Sequence, residues 1–598
     1  MDYDSLYGKS LAINTGELIM IKNFFLWFFI MLFITGSSNY NQEENFNQIV
    51  NDEWQRWVKE DPLFASYLGD KSANQDWPDI TEKALRKSQK KEREVLQKLK
   101  NIDPMVLSET AQLNYRLFLY NYKKYVKSHQ FDSHLLTFGQ RGGIQLEHET
   151  AESLDFSSTQ DYQDWLIRLT KLPAVINDHI DLAQLGIERG VTAPKILMER
   201  VSRQIKLQIH QDPKESPFYN IFSVMPDGIE NKKEIQIKAQ NIIQDKVIPA
   251  YIELDQFFTD TYLPAARETF GIYNLPNGYE WYENLANNHT TTNLTPDEIH
   301  QIGLDEVARI KDEMEKIIES LNWQGSFDDF LNFLRSDPQF YYETEEELFQ
   351  AYLATTKRID PHTLKLFKTL PRTPYGIKAI PKESAPDTTT AYYMRPSPDG
   401  TRAGYFYVNL YRPEVRPKYE IEVLSVHEAV PGHHLQIALA MELENIPNFR
   451  KYSGYTAFIE GWGLYSESLG EEMGLYQDPY SKFGALTYDM WRAVRLVVDT
   501  GMHYKGWSRQ KAIDYFKDNA AKTEQDIINE IDRYLIMPGQ ALAYKIGQLK
   551  ILELKEKAQK ELGESFSIKD FHSVILEQGS LPLNIVEERF DAYLLASK

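Results

Sequence analysis

The order of apolar and polar residues along the chain predicts a protein built mainly of α-helices. From about residue 45 onward helix follows helix, and the charged stretch 83–100 is amphipathic, with apolar positions at Leu85, Val95, Leu96 and Leu99. Residues 295–298 (Thr-Pro-Asp-Glu) and 344–347 (Thr-Glu-Glu-Glu) are typical helix starts, with a Thr N-cap and a Glu three residues later. Further helices are predicted at 455–473, 479–504, 508–521, 523–535 and 540–561.

One segment has the pattern of strands instead. Residues 392–411 (YYMRPSPDGTRAGYFYVNLY) hold two aromatic, β-prone runs around Pro-Ser-Pro-Asp-Gly, which predicts a hairpin. The second run, 405–409, has two interpretations: an edge strand that pairs with an extended peptide, or an ordinary buried hairpin strand. The Asn- and Thr-rich segment 274–295 is the clearest break in the pattern. We therefore expect an N-terminal helical region at 39–285 and a C-terminal helical region, which carries the metal site, at 286–598.

Composition narrows the class of protein. The 598 residues are 42% hydrophobic and 26% charged, which is typical of a soluble globular protein. The net charge of −21 repels phosphate backbones, so we expect no nucleic acid partner. Cysteine is absent, which excludes disulfides, thiolate nucleophiles and cysteine-based metal sites. Any bound metal must be held by histidines and carboxylates.

Residues 1–38 are predicted to be an N-terminal extension and a signal peptide. The apolar run 24–34 has eleven residues, too few to span a bilayer, and the small residues 35–38 follow it as a cleavage site would. Because residues 1–19 precede the signal, we expect translation to start at Met20. The protein is then exported, periplasmic or secreted, with no stable membrane span in the mature chain; an uncleaved N-terminal anchor is the alternative.

The candidate chemistry lies in residues 427–434 (His-Glu-Ala-Val-Pro-Gly-His-His). In the common zinc helix His-Glu-x-x-His, the histidines are four residues apart on one face and the Glu is the general base. Here they are six or seven residues apart, and a regular helix cannot bring such imidazoles to one ion. Pro431 has no N–H and Gly432 accepts unusual backbone angles, so we expect an interrupted helix. A loop-out of two residues brings His433 beside His427, our preferred pair, and a loop-out of three brings His434 there.

Glu460 is the expected third ligand. It follows His427 by 33 residues, which is enough for one helix, a turn and the start of an antiparallel helix. Two His and one Glu leave an open position for water, as in catalytic zinc sites. Glu428 is then the general base, and Glu467 orients a ligand from behind. The competing interpretation is that this His-Glu pair lies on the surface by chance, as such pairs usually do in a long acidic chain, and binds no metal.

Several longer segments resemble a known family of bacterial proteins, DUF885. They are 427–436 (HEAVPGHHLQ), 460–467 (EGWGLYSE), 495–503 (RLVVDTGMH), 533–547 (RYLIMPGQALAYKIG) and, upstream, 289–300 (HTTTNLTPDEIH). That family is similar to helical zinc peptidases of the neurolysin, thimet oligopeptidase and carboxypeptidase Taq type. The resemblance implies a large, mainly α-helical, zincin-like metallopeptidase fold with a small β-hairpin or sheet beside the active-site cleft.

His503 and Tyr544 are further candidates for the catalytic site. Arg495, Asp499 and His503 are spaced four apart on one helix. Either they form a salt-bridge ladder on its surface, or His503 donates to the tetrahedral intermediate while Asp499 holds it. Tyr544 is a candidate donor to the developing oxyanion, although most of the 36 tyrosines must be packing residues.

Together these features predict an exported zinc metallopeptidase that hydrolyses peptide substrates, with Glu428 moving the proton. Two alternatives stay open: a metal-dependent hydrolase of another amide or ester, and a non-catalytic peptide- or sugar-binding protein on a former peptidase scaffold. The sequence does not distinguish an endopeptidase from an exopeptidase.

Overall fold

The computed structural model describes residues 42–597 except 383, 384, 399, 401 and 453. The predicted signal peptide lies outside these residues. Within them the chain is mainly helical with one small sheet, which confirms the predicted fold class. None of the described helices has both the length and the apolar content that a membrane span requires.

The helices of the first half lead up to the segment that was predicted to separate two regions. They are α1 (42–60), α2 (Pro62–Tyr67), α3 (Glu82–Lys100), α4 (Glu109–Ser128), α5 (Thr159–Arg189), α6 (Lys195–Lys206), α7 (Asn220–Ser223), α8 (Lys232–Ile242), α9 (Ile248–Phe257), α10 (Leu263–Ala265) and α11 (Gly278–Thr290). Short π-helical turns at Ile243–Val247 and Phe258–Tyr262 join α8, α9 and α10.

The helices of the second half include those that carry the candidate metal ligands. They are α12 (Pro296–Ser320), α13 (Phe327–Ser336), α14 (Glu345–Ile359), α15 (Thr363–Leu366), α16 (Ile421–Glu428), α17 (His433–Glu442), α18 (Asn448–Tyr452), α19 (Thr456–Glu467), α20 (Pro479–His503), α21 (Arg509–Asn519), α22 (Glu524–Ile536), α23 (Ala543–Leu562), α24 (Ile568–Leu576) and α25 (Leu583–Ala596). The predicted capping boxes are present at Thr295 with Glu298 and at Thr344 with Glu347.

The sheet has three strands: β1 (Tyr375–Ala379), β2 (Ala391–Met394) and β3 (Gly404–Val408). Their order is β1-β3-β2, with β1 parallel and β2 antiparallel to β3. The predicted hairpin is therefore confirmed as β2 and β3. The interpretation of 405–409 as an edge strand is wrong, because β3 pairs on both sides and the edge strands are β1 and β2.

The chain divides into two compact units. One consists of residues 42–56 and Ser88–Lys127, and its core contains Phe46 packed edge-on against Tyr115 and Phe118, at 5.7 and 6.3 Å between ring centroids. The other consists of Trp57–Lys87 and 128–597, and holds the sheet and all candidate site residues. The predicted boundary at 285–286 falls inside α11, and the units divide the chain elsewhere.

Two helix pairs form the framework of the larger unit, α12 with α20 and α19 with α23. Buried side chains from these helices and from α11 and α25 share one apolar core, which includes Trp281, Ile299, Ala457, Leu496, Ile546 and Leu583. Burial of such side chains contributes about 1.5–3 kcal/mol each. The helix that carries Glu460 is thereby held on several sides.

Candidate metal centre

The helix that carries the histidines is interrupted, as predicted. α16 ends at Glu428 and α17 begins at His433, so residues 429–432 form a turn between them. In this turn the Gly432 N–H donates to the carbonyl of Val426 at 3.0 Å, in place of a regular helical bond. The indole N–H of Trp462, on α19, donates to the carbonyl of Pro431 at 2.8 Å. These bonds fix the turn against the neighbouring helix.

Two glycines allow the close approaches on which the site depends. A Cβ atom at Gly432 would lie 1.9 Å from the carbonyl oxygen of His427. A Cβ atom at Gly463, on α19, would lie 2.8 Å from Cε1 of the His427 ring. Because real Cβ atoms do not come so close, the turn and the packing of His427 on α19 both require glycine.

His427, His433 and Glu460 come together across the interruption. One ligand atom from each lies within 4.8 Å of the other two. Oε2 of Glu460 is 3.3 Å from Nε2 of His433 and 3.8 Å from Nε2 of His427, and the two rings are edge to face with centroids 4.6 Å apart. Ligand atoms bound tetrahedrally at about 2.1 Å from one zinc ion are roughly 3–4 Å apart. The donor set and its spacing therefore fit a zinc ion.

Glu467 holds the His427 ring from behind. Its Oε1 is 2.7 Å from Nδ1 of His427, and Nη2 of Arg492 lies 3.5 Å from the same oxygen. A ring that donates from Nδ1 presents the lone pair of Nε2 to the cluster, as metal-ligating histidines commonly do. Glu467 thus has the orienting position that the sequence predicted.

Charges within the cluster shift the pKa values of its members. Burial by itself lowers the pKa of His427, but hydrogen bonds with Glu460 and Glu467 outweigh it and raise that pKa to about 9. Burial likewise opposes ionisation of Glu460, yet the His433 and His427 rings hold its pKa well below the ordinary value. Without a metal, the site therefore favours an ionised Glu460 beside a protonated His427 ring.

His434 points away from this cluster. Its Nδ1 accepts from the Tyr393 hydroxyl at 2.9 Å, and its Nε2 donates to the carbonyl of Thr373 at 3.1 Å. Burial lowers the pKa of His434 to about 4, which keeps the ring neutral. Since both nitrogens are engaged, His433 and not His434 is the histidine that joins His427.

Glu428 lines the cavity beside the cluster. It is the last residue of α16 and is 8% exposed, yet it forms no hydrogen bond or ion pair with the described part of the chain. The cavity has a volume of about 280 Å³ and is bordered by the segment Thr389–Tyr393, which includes the first residues of edge strand β2. A carboxylate without a partner thus lies at the same cavity as the candidate ligands.

Comparison with known proteins identifies the family. Residues 62–590 match the family described as "Bacterial protein of unknown function (DUF885)". The chain belongs to the DUF885 family. No curated protein matches the sequence significantly.

Solved structures of two other proteins resemble this DUF885 protein. A candidate lipoprotein from Colwellia psychrerythraea is 26% identical, with a TM-score of 0.87 over 93% of this chain and 99% of that one. A candidate lipoprotein of unknown function from Shewanella oneidensis is 17% identical, with a TM-score of 0.69 over 91% of this chain and 99% of that one. The second similarity concerns the fold alone.

An arginine cluster, formed by Arg141, Arg495 and Arg533 around Glu530, lines the cavity of the DUF885 protein as well. The sequence motifs drew attention to Arg495 and Arg533, but not to Arg141 or Glu530. No local pattern marks Arg141, because it comes from a loop between α4 and α5 that is far from the motifs in sequence. Arg141 is recognised only in the folded structure, where the cavity is lined by more arginines than glutamates.

The structure does not bring His503 into the cavity. Its Nε2 donates to the carbonyl of Tyr534 at 2.9 Å, and its Nδ1 accepts from the Ile272 N–H at 3.1 Å. Asp499 is instead bonded to the hydroxyl of Tyr282 and the N–H of Gly539. Both residues are fully buried, and no bond joins them. Neither a surface ladder nor an Asp499–His503 pair is therefore formed.

Tyr544 does border the cavity. It is half-buried, and the guanidinium carbon of Arg495 lies 4.3 Å from the centre of its ring. Tyr534, in contrast, is fully buried and accepts bonds from Trp491 and Arg495 at 2.9 and 2.8 Å. Of these two tyrosines, only Tyr544 has a position from which its hydroxyl can reach a bound molecule.

Proposed function

We propose that this DUF885 protein is an exported zinc-dependent peptidase. The observation that carries the proposal is the convergence of His427, His433 and Glu460 beside a cavity lined by the unpartnered carboxylate of Glu428. Export is supported by the predicted signal peptide and by the two similar proteins, which are both described as candidate lipoproteins.

Zinc fits the ligand set better than a harder cation does. Two imidazoles and one carboxylate are typical ligands of catalytic zinc, whereas Ca²⁺ and Mg²⁺ prefer oxygen ligands throughout. When bound, zinc supplies a Lewis acid that polarises a carbonyl group and makes water acidic enough to ionise near neutral pH. His427, His433 and Glu460 would hold the ion, and Glu467 would keep the His427 ring oriented.

Glu428 has the role of proton carrier. Its carboxylate takes a proton from the attacking water while the water oxygen forms a bond to the peptide carbonyl carbon. It then gives that proton to the departing nitrogen as the C–N bond breaks, which leaves one new carboxylate and one new amine. The absence of any described partner for Glu428 supports this role, because a carboxylate held by an ion pair would be a weaker base.

Tyr544 is the proposed hydrogen-bond donor to the oxyanion that forms on the substrate carbonyl. Its half-buried position at the cavity supports this role. We extend the proposal to kinship with helical zinc peptidases of the neurolysin and carboxypeptidase Taq type. The supporting features are a Glu directly after the first histidine and a third ligand on a following helix.

Metal analysis combined with one conservative substitution tests the proposal. Glu428→Gln keeps the size of the side chain but cannot accept a proton, so hydrolysis of a peptide library should fall by about 10²–10⁴-fold. Zinc content, measured by mass spectrometry, should stay at one ion per chain. His427→Ala and Glu460→Ala should lose both zinc and activity, while an exposed control, Glu472→Gln, should change neither.

The possible results separate the roles clearly. Normal hydrolysis by Glu428→Gln would contradict the general-base assignment. A purified protein that contains no zinc and cleaves no peptide after zinc loading would refute the peptidase proposal as a whole. Cleavage of esters or other amides, but of no peptide, would favour the broader hydrolase class.

A further inference from the structure

The arginine cluster carries more positive charge than its surroundings neutralise. Oε2 of Glu530 accepts from Nη2 of Arg495 at 3.1 Å and from Nη2 of Arg533 at 3.0 Å. Nη2 of Arg141 is 4.0 Å from the other oxygen, and its guanidinium forms no hydrogen bond with the described residues. Three guanidinium groups thus lie around one carboxylate, and the cavity as a whole is lined by four arginines, with Arg492, against the three glutamates 428, 460 and 530.

Two of the three arginines are buried, which makes their shared excess charge costly, whereas Arg141 is exposed. Arg495 is 4% exposed, and its Nη1 has no hydrogen-bond partner among the residues that the structure describes. Arg533 is 7% exposed. Burial opposes the ionisation of Glu530, but Arg533 and Arg495 hold its pKa well below the ordinary value, so this one carboxylate is already used. A buried cation without a counter-charge destabilises a protein by several kcal/mol, so the cavity is prepared for a further anion.

We infer that the arginine cluster binds the α-carboxylate at the C-terminus of a peptide substrate, so that the protein removes residues from the C-terminal end. This inference rests on the proposed peptidase function and adds its substrate class. The bond that breaks is the last peptide bond; water supplies the hydroxyl of the new carboxylate and the proton of the released amino group.

The chemistry of the cavity favours a carboxylate that is close to the cleaved bond. Guanidinium groups match carboxylates in shape and bind them with paired, charge-assisted hydrogen bonds. The cluster and the candidate ligands line one cavity of about 280 Å³, at the small end of the range of about 300–1,000 Å³ for small-molecule sites. In a peptide, the α-carboxylate is one residue away from the last amide. The side-chain carboxylate of an Asp or Glu offers the same chemistry, and the experiment distinguishes the two.

Basic residues continue from Arg141 into a neighbouring cavity of about 430 Å³. Arg200, Arg203 and Lys206, all on α6, line it together with Arg141. Arg200 is paired with Asp532 at 2.6 Å, and the other three basic side chains make the field in this cavity locally positive in a chain with a net charge of −21. Such a field raises the concentration of anionic substrates at the cavity.

Three matched peptides test the inference with the zinc-loaded protein. They are N-acetylated tetrapeptides of one sequence with a free C-terminus, the same peptide as C-terminal amide, and an amide whose last residue is Glu. Charge-assisted hydrogen bonds contribute about 1.5–3 kcal/mol each, so the free acid should be cleaved about 10- to 100-fold faster than the plain amide. Calorimetry with the Glu428→Gln variant measures the same preference as binding without turnover.

Arg141→Gln is the decisive variant, because within the described part of the chain Arg141 makes no hydrogen bond whose loss would unfold the protein. It should raise KM for the free acid about tenfold or more, and change KM for the amide much less, so that the preference for the free acid is largely lost. Arg412→Gln removes the same charge at an exposed position outside the cavity and is the control. Faster cleavage of the Glu amide would assign the cluster to a side-chain carboxylate.

Other outcomes separate this inference from the proposed function. Equal cleavage and equal binding of all three peptides would overturn the inference while the peptidase function stands. If no peptide is cleaved, the proposed function fails, and calorimetry alone decides on carboxylate binding. In that case, a preference for the free acid that Arg141→Gln abolishes would support the inference, and no preference would refute it.

Discussion

Glu467 is expected to control zinc affinity although it lies outside the ligand set. Its Oε1 is 2.7 Å from Nδ1 of His427, and the side chain is 5% exposed, so water cannot replace it easily. Partners of ligating histidines typically change metal affinity by 10- to 100-fold. Glu467→Gln keeps an acceptor oxygen but removes the charge, so we expect about a tenfold loss. Glu467→Ala removes both, and we expect a loss near 100-fold, or about 2.7 kcal/mol of binding free energy.

The measurement is a competition titration of the metal-free protein with zinc and a chromophoric chelator at pH 7.5. Glu467 also faces Arg492 at 3.5 Å, and loss of a buried charge partner destabilises proteins by up to about 3–5 kcal/mol. Circular dichroism must therefore show that each variant is folded at the titration temperature. Glu472→Gln, an exposed residue five positions later, is the matched control and should bind zinc like the wild type.

One result would refute this reasoning. If folded Glu467→Ala binds zinc as tightly as the wild-type protein, the His427 ring does not depend on Glu467 for its orientation. An equal loss of affinity in Glu472→Gln would show instead that net charge, and not the hydrogen bond, governs binding.

Three further predictions concern stability. Gly432→Ala places a methyl group 1.9 Å from a carbonyl oxygen, so it should lower the free energy of unfolding by about 1–3 kcal/mol or more and weaken zinc binding. Gly228→Ala is the control, because a Cβ atom there meets open space and should change neither property. Urea unfolding measures the stability, and metal analysis measures the zinc content. Burial raises the pKa of Asp499 to about 7, so between about pH 4 and pH 7 the folded protein keeps a proton that the unfolded chain has lost. The stability that this carboxyl contributes is complete below about pH 4 and is lost as pH rises through 7. In urea unfolding, Asp499→Asn should therefore become more stable relative to the wild type as pH rises from about 4 to about 8. A difference in free energy of unfolding that stays constant with pH would contradict the raised pKa of Asp499. Lys545 is buried and pairs with the half-buried carboxylates of Glu306 and Asp489, so Lys545→Met should cost up to about 3–5 kcal/mol. Lys557→Met, at a more exposed pair, should cost much less, as thermal unfolding can show.

Local signals in the sequence were sufficient for the helices and for part of the site. The caps at Thr295 and Thr344 act within one turn, so the residues that form them are adjacent in sequence. β2 and β3 are consecutive strands separated only by residues 395–403, so their pairing is also local in sequence. The interruption at Pro431 also has a local cause, since proline lacks the N–H that a helix needs.

Features that depend on distant packing could not be predicted. β3 is the central strand because β1, which precedes the hairpin in sequence, pairs with the free side of β3. No pattern within residues 405–409 indicates this pairing. His503 has the spacing of a surface ladder, yet the contacts of α20 bury that face completely. Arg141 reaches the cavity from a loop far upstream, so its role becomes visible only when charges are compared in space.

The turn between α16 and α17 changes how this family should be sought among sequences. Without Pro431 and Gly432, the sequence His-Glu-Ala-Val of residues 427–430 would be followed directly by His433. The result would be the ordinary His-Glu-x-x-His motif. The chain thus carries a two-residue insertion inside that motif, and the turn excludes the inserted residues from the helical repeat. A search that requires a fixed separation of four residues misses such proteins, whereas one that allows a Pro-Gly insertion before the second histidine retrieves them.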